Sequence, residues 1–342
     1  MINIHLAQSR RTVLQSTAAA SVALMTSSIV NADIYTGLKS KKLIGKAKTL
    51  AKVKTPKFFT EGPAVDRSGD VYFTNIRMNR IMKWSPKTKA LSVFRENSNA
   101  ANGLYFDPQG RLIACEGDAG RVTRTDMNTG KIEVIASSYN GFPFASPNDV
   151  CLDDQGRMYF TSRPGVEDPT KGNVNAVYRI DLDGKVTQLL AFPHIHMPNG
   201  IVISPDNKTL YLIEAHGGAD KHRDIRAYDL KPDGSLANER ILINFYPGRS
   251  GDGMCIDSEG NLYVAAGLHK TRGTSETLDT RPGIHVISPE GKLIAFSEVP
   301  VDTLTNCTFG GKDLRTLYLT TGPYLMSMRT TISGKASYRP NA

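Results

Sequence analysis

Along the body of the chain, short apolar runs alternate with turn residues, and one arrangement recurs six times: a polar anchor, an apolar run, a turn rich in Asp, Pro or Gly, then a second apolar run. The first copy runs from Glu61 through Val65, turns at Ser68-Gly69, and continues as Val71-Tyr72-Phe73-Thr74. The second is led by Asn102 and turns at Pro108-Gln109-Gly110 into Leu112-Ile113-Ala114-Cys115. Asn148, Asn199, Asp252 and Asn306 lead the other four, whose second runs begin at Met158, Leu210, Leu262 and Leu317. The spacings between anchors are 41, 46, 51, 53 and 54 residues. Each repeat therefore has room for four strands and their turns.

Each anchor-led unit reads as a β-hairpin, two runs rich in Val, Ile, Tyr and Phe joined by a Gly-containing turn. A second hairpin follows, as in Val122–Thr125 with Ile132–Ile135, or Ile225–Tyr228 with Arg240–Ile243. No long segment carries helical periodicity. The pattern predicts an all-β fold, a six-bladed β-propeller of four-stranded antiparallel blades over residues 48–330. The last repeat supplies only three strands. Lys48–Val53, ahead of the first anchor, is expected to complete it and close the ring. Residues 33–47 are expected to be a basic lead-in and 331–342 a C-terminal tail.

Charge changes the picture at the N-terminus. The 342-residue chain carries +9, but Arg10, Arg11 and the eight lysines from Lys39 to Lys57 account for ten positive charges, and without them it carries −1. The body has no basic stripe of the kind nucleic acid demands, and the lysine run reads as a solvated lead-in. Residues 1–32 read as an export signal. Ser9-Arg10-Arg11-Thr12-Val13-Leu14-Gln15 resembles a twin-arginine motif, an uncharged Ala/Ser-rich stretch follows, and Val30-Asn31-Ala32 offers small residues for cleavage. The expected destination is the periplasm or medium of a bacterium, with the twin-arginine machinery as export partner. The stretch is too short and polar for a stable membrane span. Cys115, Cys151, Cys255 and Cys307 lie far apart inside apolar runs and read as buried thiols, with a disulfide not required.

In a propeller the innermost strand of every blade lines the central channel, so the six anchors are expected at one end of it. Six carboxylate or amide groups aimed at one axis are costly to bury unpaired. A divalent cation resolves that cost, and two carboxylates with several amide oxygens suit Ca²⁺, with Mg²⁺, Mn²⁺ or Zn²⁺ as alternatives. The competing explanation is that these Asn and Asp residues merely cap turns.

Glu61-Gly62-Pro63, Pro147-Asn148-Asp149, Pro198-Asn199-Gly200, Ser250-Gly251-Asp252-Gly253-Met254 and Thr305-Asn306-Cys307-Thr308-Phe309-Gly310-Gly311 resemble, in order, the motifs of the senescence-marker-protein (regucalcin)/gluconolactonase family. The resemblance covers residues 58–330. It implies metal ligation by Glu61, Asn148, Asn199 and Asp252, a substrate-orienting role for Asn102 and also for Asn148, and hydrolysis of a sugar lactone. Asp252 is the expected general base. Loops on the anchor face carry Asn75, Arg77, Glu116, Ser162, Arg163, Glu214, His216, His269 and Tyr324, of which Arg163 and His216 are the preferred substrate contacts. His194 and His196 precede Asn199 and have no assigned role. Ser146 stands where regucalcin has Arg. No G-x-S-x-G elbow is present, which argues against a serine hydrolase. Two alternatives stay open: another ester or phosphotriester hydrolase on the same metal, and a non-catalytic binding propeller braced by Ca²⁺.

Overall fold

Each of the six repeats folds into a four-stranded antiparallel sheet in a computed structural model that describes residues 34–335. In blade 1 the strands are Thr60–Val65, Val71–Asn75, Arg80–Trp84 and Leu91–Glu96, hydrogen-bonded in chain order. Ala101–Phe106, Pro147–Leu152, Pro198–Ile203, Gly251–Ile256 and Leu304–Gly310 are the innermost strands of blades 2 to 6. Each packs against the innermost strands of both neighbours, including blade 6 against blade 1, so the ring is closed.

The closure is made by the segment expected to make it. Lys48–Lys52 pairs antiparallel with Tyr324–Arg329, Lys48 opposite Ser327 and Lys52 opposite Tyr324, giving blade 6 its outer strand. Main-chain hydrogen bonding thereby ties the start of the propeller to its end. Without it the edge of Tyr324–Arg329 would be left unpaired and open to solvent.

Burial follows the repeat. Second strands such as Val71–Asn75 and Leu262–Ala266 are buried at every position, while the outer strand Ile132–Ala136 is largely exposed. The buried side chains form six apolar clusters among the described residues, one at each junction between adjacent blades. Phe73, Trp84 and Tyr318 join blade 1 to blade 6, and Tyr72, Leu104 and Phe106 join blade 1 to blade 2. Burying each such side chain contributes about 1.5–3 kcal/mol. The face-to-face stacking of strongly twisted sheets is thus what holds the ring.

Three segments depart from the plain repeat. Within the lead-in, Ser40–Leu43 forms one short helical turn; its lysines are exposed, but Ile44 is buried between blades 5 and 6 and Ser40 Oγ accepts from Phe296 N at 3.0 Å. The solvated reading therefore holds for the lysines and not for the backbone. A small hairpin, Ser138–Tyr139 with Phe142–Pro143, follows blade 2. Residues 331–335 do not trail away. Gly334 N donates to Leu314 O at 2.8 Å, Lys335 N to Ile256 O at 3.0 Å and Lys335 Nζ to Ser204 O at 3.3 Å. The expected signal at 1–32 and the rest of the tail, 336–342, lie outside the described residues. No helix among those described is long and apolar enough to cross a membrane.

One irregularity recurs in all six blades and sets up the site. The pairing of the innermost strand with the second slips at the anchor: between Glu61 and Ala64, Ala101 and Leu104, Pro147 and Val150, Pro198 and Ile201, Gly251 and Met254, and Leu304 and Asn306. A bulge of this kind bends its strand and re-aims a side chain. Here it turns each anchor from the sheet into the channel.

Candidate functional site

The anchors meet. Asn102 Nδ2 donates to Asn148 Oδ1 at 2.6 Å, Asn148 Nδ2 to Asn199 Oδ1 at 2.7 Å, and Asn199 Nδ2 to Asp252 Oδ1 at 2.6 Å. Across the remaining gap Asn306 Nδ2 donates to Glu61 Oε2 at 3.2 Å, and Glu61 Oε2 also accepts from Gly62 N at 2.9 Å. Residues spread over two hundred positions of sequence thus form a chain of side-chain contacts around one axis. Five of the six are buried, and Asn102 is half-buried.

Glycine beside the anchors permits the crowding. At Gly62, where φ is +48°, an added Cβ would lie 2.1 Å from the Asn102 carbonyl oxygen; at Gly253 it would lie 2.0 Å from Cγ of Asn306. Neither position admits a side chain. Blade 3 breaks this rule with Asp149, and its carboxylate uses the space the glycines leave. Asn306 Nδ2, on the opposite blade, reaches both Asp149 oxygens at 3.1 Å, which puts that carboxylate on the axis. Asp149 was legible in the Pro147-Asn148-Asp149 motif as an acid standing where four of the other copies carry Gly.

Three carboxylates therefore share a buried space. Burial first, then the Asp252 and Asp149 charges, hold Glu61 well above the ordinary carboxylate range, against the pull of the Gly62 N–H and the Asn306 amide. Asp149 is pushed up to about 7 by burial and by Asp252, with Arg163 drawing it back. Two arginines offset part of the charge. Arg249 Nη2 donates to Asp252 Oδ2 at 2.6 Å while its Nη1 serves the carbonyls of Leu304 at 3.1 Å and Gly267 at 3.3 Å. Arg163 Nη2 stands 3.9 Å from Asp252 Oδ1, and Arg163 Nε is buried without a partner. Asn102 Oδ1 is likewise buried and unpartnered. Among the described residues no group of three or more His, Cys, Asp or Glu is assembled as a metal cluster; amides make up most of this donor set.

The model of the SMP-30/gluconolactonase/LRE-like region matches residues 59–323. The chain belongs to that family. It is 27% identical to the gluconolactonase of Zymomonas mobilis over 304 residues, which cover 81% of this chain and 80% of that one. It is 28% identical to the pentonolactonase of Haloferax volcanii over 252 residues, covering 73% and 77%. Among solved structures, a gluconolactonase of Xanthomonas campestris superposes with a TM-score of 0.68 at 27% identity, covering 83% of this chain and 89% of that one.

Several of the loop residues expected on the anchor face serve the scaffold instead. Asn75 is buried, its Oδ1 accepting from Phe59 N at 3.1 Å and its Nδ2 donating to Thr55 Oγ1 at 3.2 Å. Glu116 is enclosed by Arg95 at 2.5 Å, Arg121 and Asn99 at 2.8 Å and Thr123 at 2.9 Å; against the effect of burial, the two arginines hold it below the ordinary range. Glu214 Oε2 accepts from His196 N at 2.9 Å and Met197 N at 3.2 Å, fixing the loop ahead of Asn199, and burial holds its acid above the usual range. The His269 ring contacts Val299 O at 2.8 Å. His194 faces outward onto Glu239 at 2.5 Å.

His216 belongs to a group of imidazoles on the loops of blade 4. His196 stacks on His222 with ring centres 5.9 Å apart and meets His216 edge-on at 6.2 Å. Burial and the Lys221 charge keep His196 and His216 below the usual imidazole range. Gly218 N donates to His216 Nδ1 at 2.9 Å, so the neutral ring carries its proton on Nε2. Arg249, which no repeat signalled, is the principal residue of the site that sequence reasoning missed.

Proposed function

We propose that this protein hydrolyses a sugar lactone with the help of one divalent cation, Ca²⁺, held by Glu61, Asn148, Asn199 and Asp252. The observation that carries the reading is the convergence of these four side chains, with Asn102, Asp149 and Asn306, at one end of a closed propeller. Membership in a family that includes a gluconolactonase and a pentonolactonase supports the substrate class.

The residues fit a hard cation. Their donors are all oxygens, no His or Cys holds an anchor position, Asn102 Oδ1 lacks a partner, and three carboxylates repel one another in a buried space. Bound there, the cation would polarise the lactone carbonyl and stabilise the developing oxyanion.

The chain's own groups supply the rest. Arg249 fixes the Asp252 carboxylate through Oδ2. Asp252 takes the proton of the attacking water as the water oxygen bonds to the lactone carbon. When the ring C–O bond breaks, the departing alkoxide takes that proton back and the product is the open hydroxy acid. Asn102 offers its free Oδ1 to a substrate hydroxyl, and His216 an Nε2–H. Arg163 donates its backbone N–H to the Ser146 carbonyl at 2.9 Å, so the residue standing where regucalcin has Arg is paired with one that brings a guanidinium toward Asp252. We assign it to a substrate oxygen. Export by the twin-arginine machinery to the periplasm completes the proposal, resting on Arg10, Arg11 and the stretch that follows.

A second reading has one observation in its favour: Asn102, Asn148, Asn199 and Asp252 are already linked to one another by side-chain hydrogen bonds, as they would be in a non-catalytic binding propeller. Assay of the purified protein with gluconolactone, pentonolactones, an aryl ester and a phosphotriester, with and without chelator, separates the readings. Chelator-sensitive turnover of lactones supports the proposal. Turnover confined to the ester or phosphotriester, or none at all, overturns it.

A further inference from the structure

The sulfurs of Cys255 and Cys307 lie 3.4 Å apart. They stand on the neighbouring innermost strands of blades 5 and 6, three residues along from Asp252 and one from Asn306. Cys307 Sγ donates to Tyr263 O at 3.1 Å, which holds the thiol beside its partner. Both residues line a central cavity of about 80 Å³ that also touches Asp149 and Asn306. All four cysteines are free thiols. The two sulfurs stand on strands that already pack together, about 1.4 Å beyond the bonding distance of roughly 2.05 Å.

We propose that Cys255 and Cys307 are a redox-convertible pair, joined by a disulfide-type oxidant into a covalent brace between the strand that carries Asp252 and the strand that carries Asn306. One thiolate attacks the oxidant R–S–S–R, forming a mixed disulfide and releasing one thiolate. The second cysteine then attacks the protein sulfur of that mixed disulfide, closing the Cys255–Cys307 bond and releasing the other. Two electrons pass to the oxidant, which leaves as two thiols carrying the two protons. Burial, and then the contact with Cys307, hold the Cys255 thiol well above its ordinary range, so the exchange is slow at neutral pH. The inference stands on geometry alone and is independent of the lactonase reading.

The test incubates the folded protein with hydroxyethyl disulfide or with dithiothreitol, alkylates it after denaturation, and maps peptides by mass spectrometry. Expected are two alkylated cysteines, Cys115 and Cys151, in the oxidised sample, one cross-linked peptide pair containing Cys255 and Cys307, and four alkylated cysteines in the reduced sample. Cys255→Ala and, separately, Cys307→Ser should each abolish the cross-link. The same oxidant applied to the chain in guanidinium, where any cysteines can pair, shows that the reagent is competent. Four alkylated thiols after oxidation of the folded protein, or a cross-link elsewhere, would overturn the proposal.

Discussion

Asp252 is held from three sides, by Arg249 at 2.6 Å, by Asn199 at 2.6 Å and by Arg163 at 3.9 Å. A carboxylate so fixed in orientation is the proton acceptor of the proposed reaction. Asp252→Asn keeps the shape and removes the base. We expect kcat for lactone opening to fall by about 10²–10⁴-fold in protein that calorimetric titration shows still binds Ca²⁺; retained turnover would exclude Asp252 from the proton transfer. Arg249 is 4% exposed, so Arg249→Met leaves Asp252 buried without its main counter-charge. Apo stability should drop by about 3 kcal/mol in urea unfolding, and saturating Ca²⁺ should restore part of it. A drop that Ca²⁺ does not touch would separate Asp252 from the cation site. The anchors were readable because each leads a repeat, so that six weak signals add. Asp149 stood in the same motif but shows its meaning only when the glycines of the other blades are seen to leave the axis open. Arg249 stands three residues ahead of its anchor, where the other copies carry Phe58, Asn99, Ala145, His196 and Thr303, so the repeat does not announce it and only coordinates bring it to Asp252.

At the scale of the strand, two elements carry testable weight. Lys48–Lys52 is the outer strand of blade 6, and its removal exposes the edge of Tyr324–Arg329 and unseats Val53 and Leu50 from the cluster around Trp84 and Tyr318. A chain beginning at Thr55 should lose cooperative unfolding or melt at least about 10 °C lower in calorimetry; an unchanged melting point would mean the ring does not depend on that closure. In Gly283–Ile287, His285 is buried, and burial lowers its imidazole from 6.5 to about 4 despite the Gly283 carbonyl. The folded state thus binds a proton at His285 more weakly than the unfolded state does. That contribution is full above pH 6.5 and is lost as pH falls toward 4, amounting to about 3 kcal/mol. Urea unfolding at pH 7 and pH 4.5 should show His285→Leu losing less stability over that interval than the parent chain; parallel losses would place the proton elsewhere. Strand positions were legible because alternating apolar runs and Gly turns recur at a nearly constant interval. The Ser138–Pro143 hairpin and the docked residues 331–335 were not, because neither belongs to the repeat.

For the whole molecule, the closed ring explains how a site arises from residues so far apart in sequence. Adjacent blades stack through six apolar clusters, the innermost strands slip in register at the same place, and each slip delivers one polar side chain to the same end of one channel. Fold and site are in this sense a single feature repeated six times, which is why both could be anticipated together. Substrate choice is different. Under the proposed function it would rest on Arg163, His216 and neighbouring loops whose sequences follow no period, so the sequence names candidates and the structure sends Asn75, Glu116 and His269 to the scaffold.

The central claim is that one cation gathers these oxygens. Calorimetric titration of Ca²⁺ into chelator-stripped protein tests it directly, with the parent chain beside Glu61→Gln and Asn199→Ala. The account predicts a single site in the parent and at least about a tenfold loss of affinity in each variant, since every ligand removed costs upwards of 1.4 kcal/mol. Failure of the parent to bind Ca²⁺, Mg²⁺, Mn²⁺ or Zn²⁺, or binding that both variants leave intact, would contradict it.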